Sequence, residues 1–98
     1  MIVVHDTFRI RFGAAREVRA LMQEGLSIVA NASNMGDLRV LWNFTGPNYR
    51  VLLETSYESL GAYEQELKEG MANSAWQEWY RRLVPYIEKG HRTLYTAG

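Results

Sequence analysis

Cysteine is absent from this 98-residue chain, so it can build no disulfide framework, no thiolate zinc site and no cysteine nucleophile. An excess of either charge is absent too: eleven Lys and Arg offset eleven Asp and Glu. A phosphate backbone is held by an electropositive footprint, and without one nucleic acid is not an expected partner. No apolar run approaches the length of a membrane span, and His5 and Asp6 follow Met1 too closely for the apolar stretch of a secretory leader. The expectation is a cytoplasmic chain with no membrane partner. Proline is scarce, with two residues, and no repeat or Pro/Ser-rich linker divides the chain, so residues 1–98 read as a single domain with one core. Also missing are H-E-x-x-H, a P-loop, G-x-G-x-x-G and G-x-S-x-G. Neither a metal site nor a nucleotide or other cofactor is therefore expected.

What is present is hydrophobic periodicity that changes cleanly along the chain. From Ile2 to Phe12 the apolar residues Ile2, Val4, Phe8, Ile10 and Phe12 alternate with His5, Thr7, Arg9 and Arg11, the period of a strand, and Asp6 interrupts the apolar face. Beyond Gly13 the spacing becomes helical, with Val18, Leu21, Met22, Gly25 and Val29 on one stripe and a stop at Asn34-Met35-Gly36. A glycine inside that stripe costs about 1 kcal/mol of helix propensity, which points to close approach of the helix backbone to the sheet. Asp37 to Thr45 and Tyr49 to Thr55 read as two strands joined by a Gly46-Pro47-Asn48 turn. Thr55 and Glu58 have capping-box spacing and predict a helix start there, with Leu60, Tyr63, Leu67 and Met71 along its apolar side. Gly70 is expected to interrupt this helix, and Asn73-Ser74 to start a second segment carrying Trp76, Trp79, Tyr80, Leu83 and Ile87. Pro85 should bend or end that segment near Val84, and a last strand is expected from His91 to Thr96.

The element order is β-α-β-β-α-β, the order of a ferredoxin-like α+β fold: a four-stranded antiparallel sheet with its helices on one face. Leu41 and Leu52 lie opposite the main apolar faces of their strands, so the hairpin is partly apolar on both sides. Helices on one face leave the other to be covered, and a second copy of the sheet is the simplest cover. A homodimer is the expected assembly, two-fold pairing being the commonest oligomer geometry.

Several segments carry a family resemblance. Glu54-Thr55-Ser56-Tyr57-Glu58-Ser59-Leu60, Ala75-Trp76-Gln77-Glu78-Trp79 and Pro85-Tyr86-Ile87-Glu88-Lys89-Gly90-His91-Arg92 look like the dimeric α+β barrel superfamily, and within it most like the NIPSNAP-like branch. The resemblance spans nearly the whole chain and rests on aromatic and capping residues that mark the fold more than a reaction. It implies a dimeric barrel, in a superfamily that hosts monooxygenases, isomerases, dehalogenases, haem-degrading enzymes and members without a known reaction.

Candidate chemistry is sparse. His5 reads either as a general base or ligand on the first strand or as a histidine at a subunit interface or sheet rim, and His91 is placed similarly. Asp6, a carboxylate on an apolar face, must be paired, hydrogen-bonded, protonated or hydrated. It is either an acid/base group at a pocket floor or the partner of Arg9, Arg39, Arg50 or Arg92. Glu54 carries the same ambiguity. Trp42, Tyr63, Trp76 and Tyr80 could line a slot between helices and sheet for a small apolar or aromatic ligand, with Tyr63 and Asp6 as polar contacts, although such stripes are more often core. Ser27, Ser59 and Ser74 sit in helical or capping contexts, and Arg81-Arg82 belongs to a solvated helix face. The leading reading is a dimeric module that binds a small molecule or a partner. The alternative follows from the resemblance: a cofactor-independent monooxygenase acting on a phenol or quinol, with Tyr63 near the position where many of those enzymes carry a histidine.

Overall fold

The structure, a computed structural model, describes residues 1–31, 38–43 and 49–98. The alternating segment forms strand β1 (Ile2–Ile10), followed by helix α1 (Ala15–Asn31), strands β2 (Leu38–Trp42) and β3 (Arg50–Tyr57), helices α2 (Leu60–Ala72) and α3 (Ser74–Leu83), a short 3₁₀ turn (Val84–Tyr86) and strand β4 (Ile87–Thr96). The four strands make one antiparallel sheet in the order β2-β3-β1-β4. This is the expected ferredoxin-like topology, with the second helical region in two pieces. The expected stop at Asn34-Met35-Gly36, the Gly46-Pro47-Asn48 turn, and Asp37, Phe44 and Thr45 of the first hairpin run lie outside the described residues.

Strand register decides what shares a face. Asp6 lies opposite Leu53 on one side and Arg92 on the other, and Val4 lies opposite Thr55 and Leu94. By the two-residue alternation of a strand, Val4, Asp6, Phe8, Leu38, Val40, Trp42, Val51, Leu53 and Arg92 point to one face, while His5, Leu41, Leu52, Glu54 and Tyr95 point to the other. The core forms on the first face, where Ile10, Val18, Leu21, Met22, Val51, Leu53, Trp79 and Leu83 are buried together.

Four local expectations are corrected. Thr55 does not start a helix, because β3 continues to Tyr57 and pairs with β1 as far as Ile2; Ser59 is the cap, its hydroxyl accepting from the Ala62 amide at 3.1 Å. Gly70 does not interrupt α2. The break falls at Asn73, whose amide donates to the Gly70 carbonyl while its side chain accepts from the Trp76 amide, ending one helix and beginning the next. Gly25 approaches a helix rather than the sheet: a Cβ there would lie 2.9 Å from Cζ2 of Trp79. That indole is 1% exposed and donates from Nε1 to the Leu21 carbonyl at 2.5 Å, so α1 and α3 are locked backbone to ring. Finally, the last strand starts before His91: β4 begins at Ile87, and Gly90 lies inside it. Gly90 stands opposite Phe8, whose ring would be 3.4 Å from a Cβ at that position.

Candidate functional site

Between α2, α3 and the sheet lies a cavity of about 520 Å³, within the range of roughly 300–1,000 Å³ typical of small-molecule sites. Its apolar wall includes Val29, Leu38, Leu53, Leu67, Met71 and Trp76. Trp76 stacks on Trp79 with ring centroids 4.6 Å apart, so the buried Trp79 fixes the ring plane that its neighbour offers to the cavity.

The polar groups of the wall are Asp6, Thr55, Tyr57, Tyr63, Glu66, Gln77, Tyr80 and Arg92. Arg92 grips Asp6 with two donors, Nε to Oδ1 at 2.5 Å and Nη2 to Oδ2 at 3.3 Å, and donates from Nη1 to the Tyr63 hydroxyl at 3.0 Å. Such a forked pair fixes the guanidinium in a plane. Its charge is also fixed, since the hydrogen bond to Asp6 holds Arg92 above the ordinary guanidinium value. Because the Tyr63 oxygen accepts from Arg92, the phenolic proton is free to donate elsewhere. The Tyr63 ring meets Tyr57 edge to face at 5.4 Å. Burial pushes the Tyr57 phenol above its ordinary value, opposed by its hydrogen bond with Thr55 and reinforced by the nearby negative charge of Glu66 and Asp6.

Glu66 was not among the residues singled out from the sequence. It is 8% exposed, the one charged residue buried among those described, and its Oε2 has no hydrogen-bond partner among the described residues. Burial first, and then the charge of Glu69, raise its pKa. A signal for it was present, since Glu66 lies three residues after Tyr63 on the stripe that continues through Leu67 and Met71. A carboxylate there interrupts an apolar helix face just as Asp6 interrupts an apolar strand face.

Of the candidates read from the sequence, Asp6, Tyr63, Trp76 and Tyr80 are brought to this one cavity. Asp6 finds its cation in Arg92, while Arg9 pairs with Glu88 and Arg39 with Glu54. Trp42 is not in the wall. It packs against the core below β2 with the Arg19 guanidinium 4.2 Å above its ring. His5 is also elsewhere: on the opposite sheet face its Nε2 is 2.9 Å from Glu54 Oε2, and its ring meets Tyr95 at 5.0 Å. Arg39 reaches the other Glu54 oxygen from Nε at 3.0 Å, and the His5 bond, followed by the Arg39 charge, holds the Glu54 carboxyl below its ordinary value. His91 is exposed on that same face, opposite Thr7. Among the described residues no three His, Cys, Asp or Glu side chains gather as a metal site, and no helix is long and apolar enough to cross a membrane.

The fold defines a ferredoxin-like α+β protein with a cavity between its layers. No protein-family model and no curated protein matches the sequence. Solved structures do match. A NIPSNAP family protein from Agrobacterium tumefaciens is similar at 26% identity and a TM-score of 0.88, over 99% of this chain and 85% of that one. An uncharacterized NIPSNAP domain protein from Burkholderia xenovorans is similar at 24% identity and a TM-score of 0.88, over 100% of this chain and 95% of that one. More distant is a proposed antibiotic biosynthesis monooxygenase from Deinococcus radiodurans, at 19% identity and a TM-score of 0.76, over 100% and 93% of the two chains. The chain is thus a strong structural match to NIPSNAP family proteins, as the resemblance in its sequence led one to expect. Another NIPSNAP family match, also from Agrobacterium tumefaciens, is described as having unknown function.

Proposed function

We propose that this protein is a small-molecule-binding module that works as a homodimer and holds a small apolar or aromatic molecule in the cavity between helices and sheet. The observation that carries this reading is the cavity itself: one apolar wall with aromatic faces, and a set of oriented polar groups converging on it. Dimerisation is supported by the opposite sheet face, where Leu41, Leu52, His5 and Tyr95 lie on a surface that none of the described helices covers. A second sheet placed there would bury it and leave both cavities facing outward.

Binding is tested by calorimetry with one- and two-ring aromatic molecules against the wild type and Trp76→Ala. Saturable one-per-chain binding that weakens about tenfold or more in the variant is the expected result. A second reading, oxygenation of a phenol or quinol, is favoured by the Tyr63 hydroxyl, held by Arg92 and open to the cavity. It predicts oxygen uptake with a hydroquinone that falls about a hundredfold in Tyr63→Phe. Binding without oxygen uptake across a broad hydroquinone panel leaves the module as the account.

A further inference from the structure

Within the proposed binding function, we infer that the cavity selects apolar amines, docking a protonated amine on the Glu66 carboxylate with the apolar part of the molecule against Trp76. Glu66 is the buried polar group of the wall left unsatisfied among the described residues: it is 8% exposed, and its Oε2 meets no donor there. Asp6, by contrast, is already occupied by Arg92 through both oxygens. A buried carboxyl without a donor must either keep a proton or find a cation. An ammonium group supplies both the missing hydrogen bonds and the missing charge.

The groups around Glu66 favour a cation over an anion. Asp6 on β1, Arg92 on β4, Tyr57 on β3, Tyr63 and Glu69 on α2 and Tyr80 on α3 are the charged and titratable groups that line the cavity or act on Glu66, and α1 contributes the apolar Val29. Asp6 and Arg92 offset each other as a pair, which leaves Glu69 as the further charge acting on Glu66. Burial first raises both the Tyr57 phenol and the Glu66 carboxyl; the negative charge of Glu66 and Asp6 adds to the first, and that of Glu69 to the second. An incoming carboxylate would meet this field, whereas an ammonium group would be drawn by it and would lie among tyrosine and tryptophan rings whose faces attract cations. In the empty cavity Glu66 holds a proton more tightly than an ordinary carboxyl, so a bound ammonium group competes with that proton.

Three probes that share one ring system separate the alternatives: 2-(1-naphthyl)ethylamine, 2-(1-naphthyl)ethanol and 1-naphthylacetate, measured by calorimetry on the full chain. The expected order places the amine about tenfold or more tighter than the alcohol, and the acetate weakest. Amine affinity should rise with pH above the ordinary carboxyl range, as Glu66 loses its proton, and the slope should vanish in Glu66→Gln. That variant should remove the amine's advantage over the alcohol, and a melting curve confirms that it is folded. An alcohol or acetate that binds as tightly as the amine, or an amine preference that survives in Glu66→Gln, overturns this inference and leaves the binding function standing. Failure of all three probes and of the wider aromatic panel overturns both.

Discussion

Two carboxyls in one cavity are solved in opposite ways. Asp6 sits on β1 opposite Arg92 on β4, so the sheet register itself supplies a partner, whereas Glu66 is carried into the wall by a helix face and meets none among the described residues. Asp6→Asn should therefore cost more stability than Tyr63→Phe. The first removes a charge-assisted fork, part-exposed and so worth about 1–2 kcal/mol, and the second a single hydroxyl acceptor worth about 1 kcal/mol or less, both read by urea denaturation. Glu66 should leave its mark on the pH dependence of stability. A carboxyl whose folded pKa is raised binds its proton more tightly in the fold than in the unfolded chain. Its contribution is fullest below its ordinary value near 4.5 and is lost as pH rises through the raised value. Glu54 acts in the other direction: its lowered pKa supplies stability above the ordinary carboxylate range that is lost on acidification. Melting curves taken from acid to neutral pH should lose their decline on the alkaline side in Glu66→Gln; an unchanged profile would mean that the side chain is hydrated rather than buried. Glu66→Leu should leave stability unchanged or raise it by up to about 2 kcal/mol, since a buried polar group without a partner gives way to hydrocarbon.

At the level of elements, the helical layer is held in place by one tryptophan. Trp79 is enclosed between Gly25 and the Leu21 carbonyl, and its stack on Trp76 couples the packing of α1 and α3 to the cavity wall. Gly25→Ala offers about 1 kcal/mol of helix propensity but places a methyl group 2.9 Å from an indole that has little room to move. Overpacking of this kind costs about 1–3 kcal/mol, so the variant should melt lower than wild type. Combined with Trp79→Phe, the same alanine should cost less than it does alone, because the smaller ring vacates the space. Additive effects in that double-variant cycle would contradict the contact. The Asn73 junction makes a separate demand, since this side chain caps α3 through the Trp76 amide at 3.0 Å. Asn73→Ala should cost about 1 kcal/mol and loosen the helix that presents both Trp76 and Tyr80.

The whole molecule measures 38 × 32 × 19 Å, a slab one sheet and one helical layer thick. Leu41, on the sheet face away from the helices, is 37% exposed, and Leu52 beside it is half-buried. If a second copy covers that face, wild-type protein should sediment near twice its 11.3 kDa mass at micromolar concentration. Leu41→Glu or Leu52→Glu should shift it toward the monomer, because a charge moved into a dry interface costs several kcal/mol. Wild type that sediments as a monomer would remove the dimer from the proposed function while leaving the cavity, which lies within one chain, intact.

Element order, the antiparallel sheet, the split second helix and the interruption at Asp6 were all determined by the sequence, because period, turn residues and a polar residue on an apolar face are local signals. Local signals also misplaced the helix start at Thr55, since cap spacing cannot show that β3 goes on pairing with β1 to Tyr57. Tyr63, Trp76 and Tyr80 were legible as apolar-stripe aromatics, but only tertiary structure separated them from Trp42, whose strand carries it to the core and Arg19 rather than to the cavity. Only tertiary structure, too, chose Arg92 from four arginines for Asp6 and left Glu66 buried without a donor among the described residues. Those outcomes depend on which residues far apart in the chain stand opposite one another, and strand register and helix docking set that distance, not spacing along the sequence.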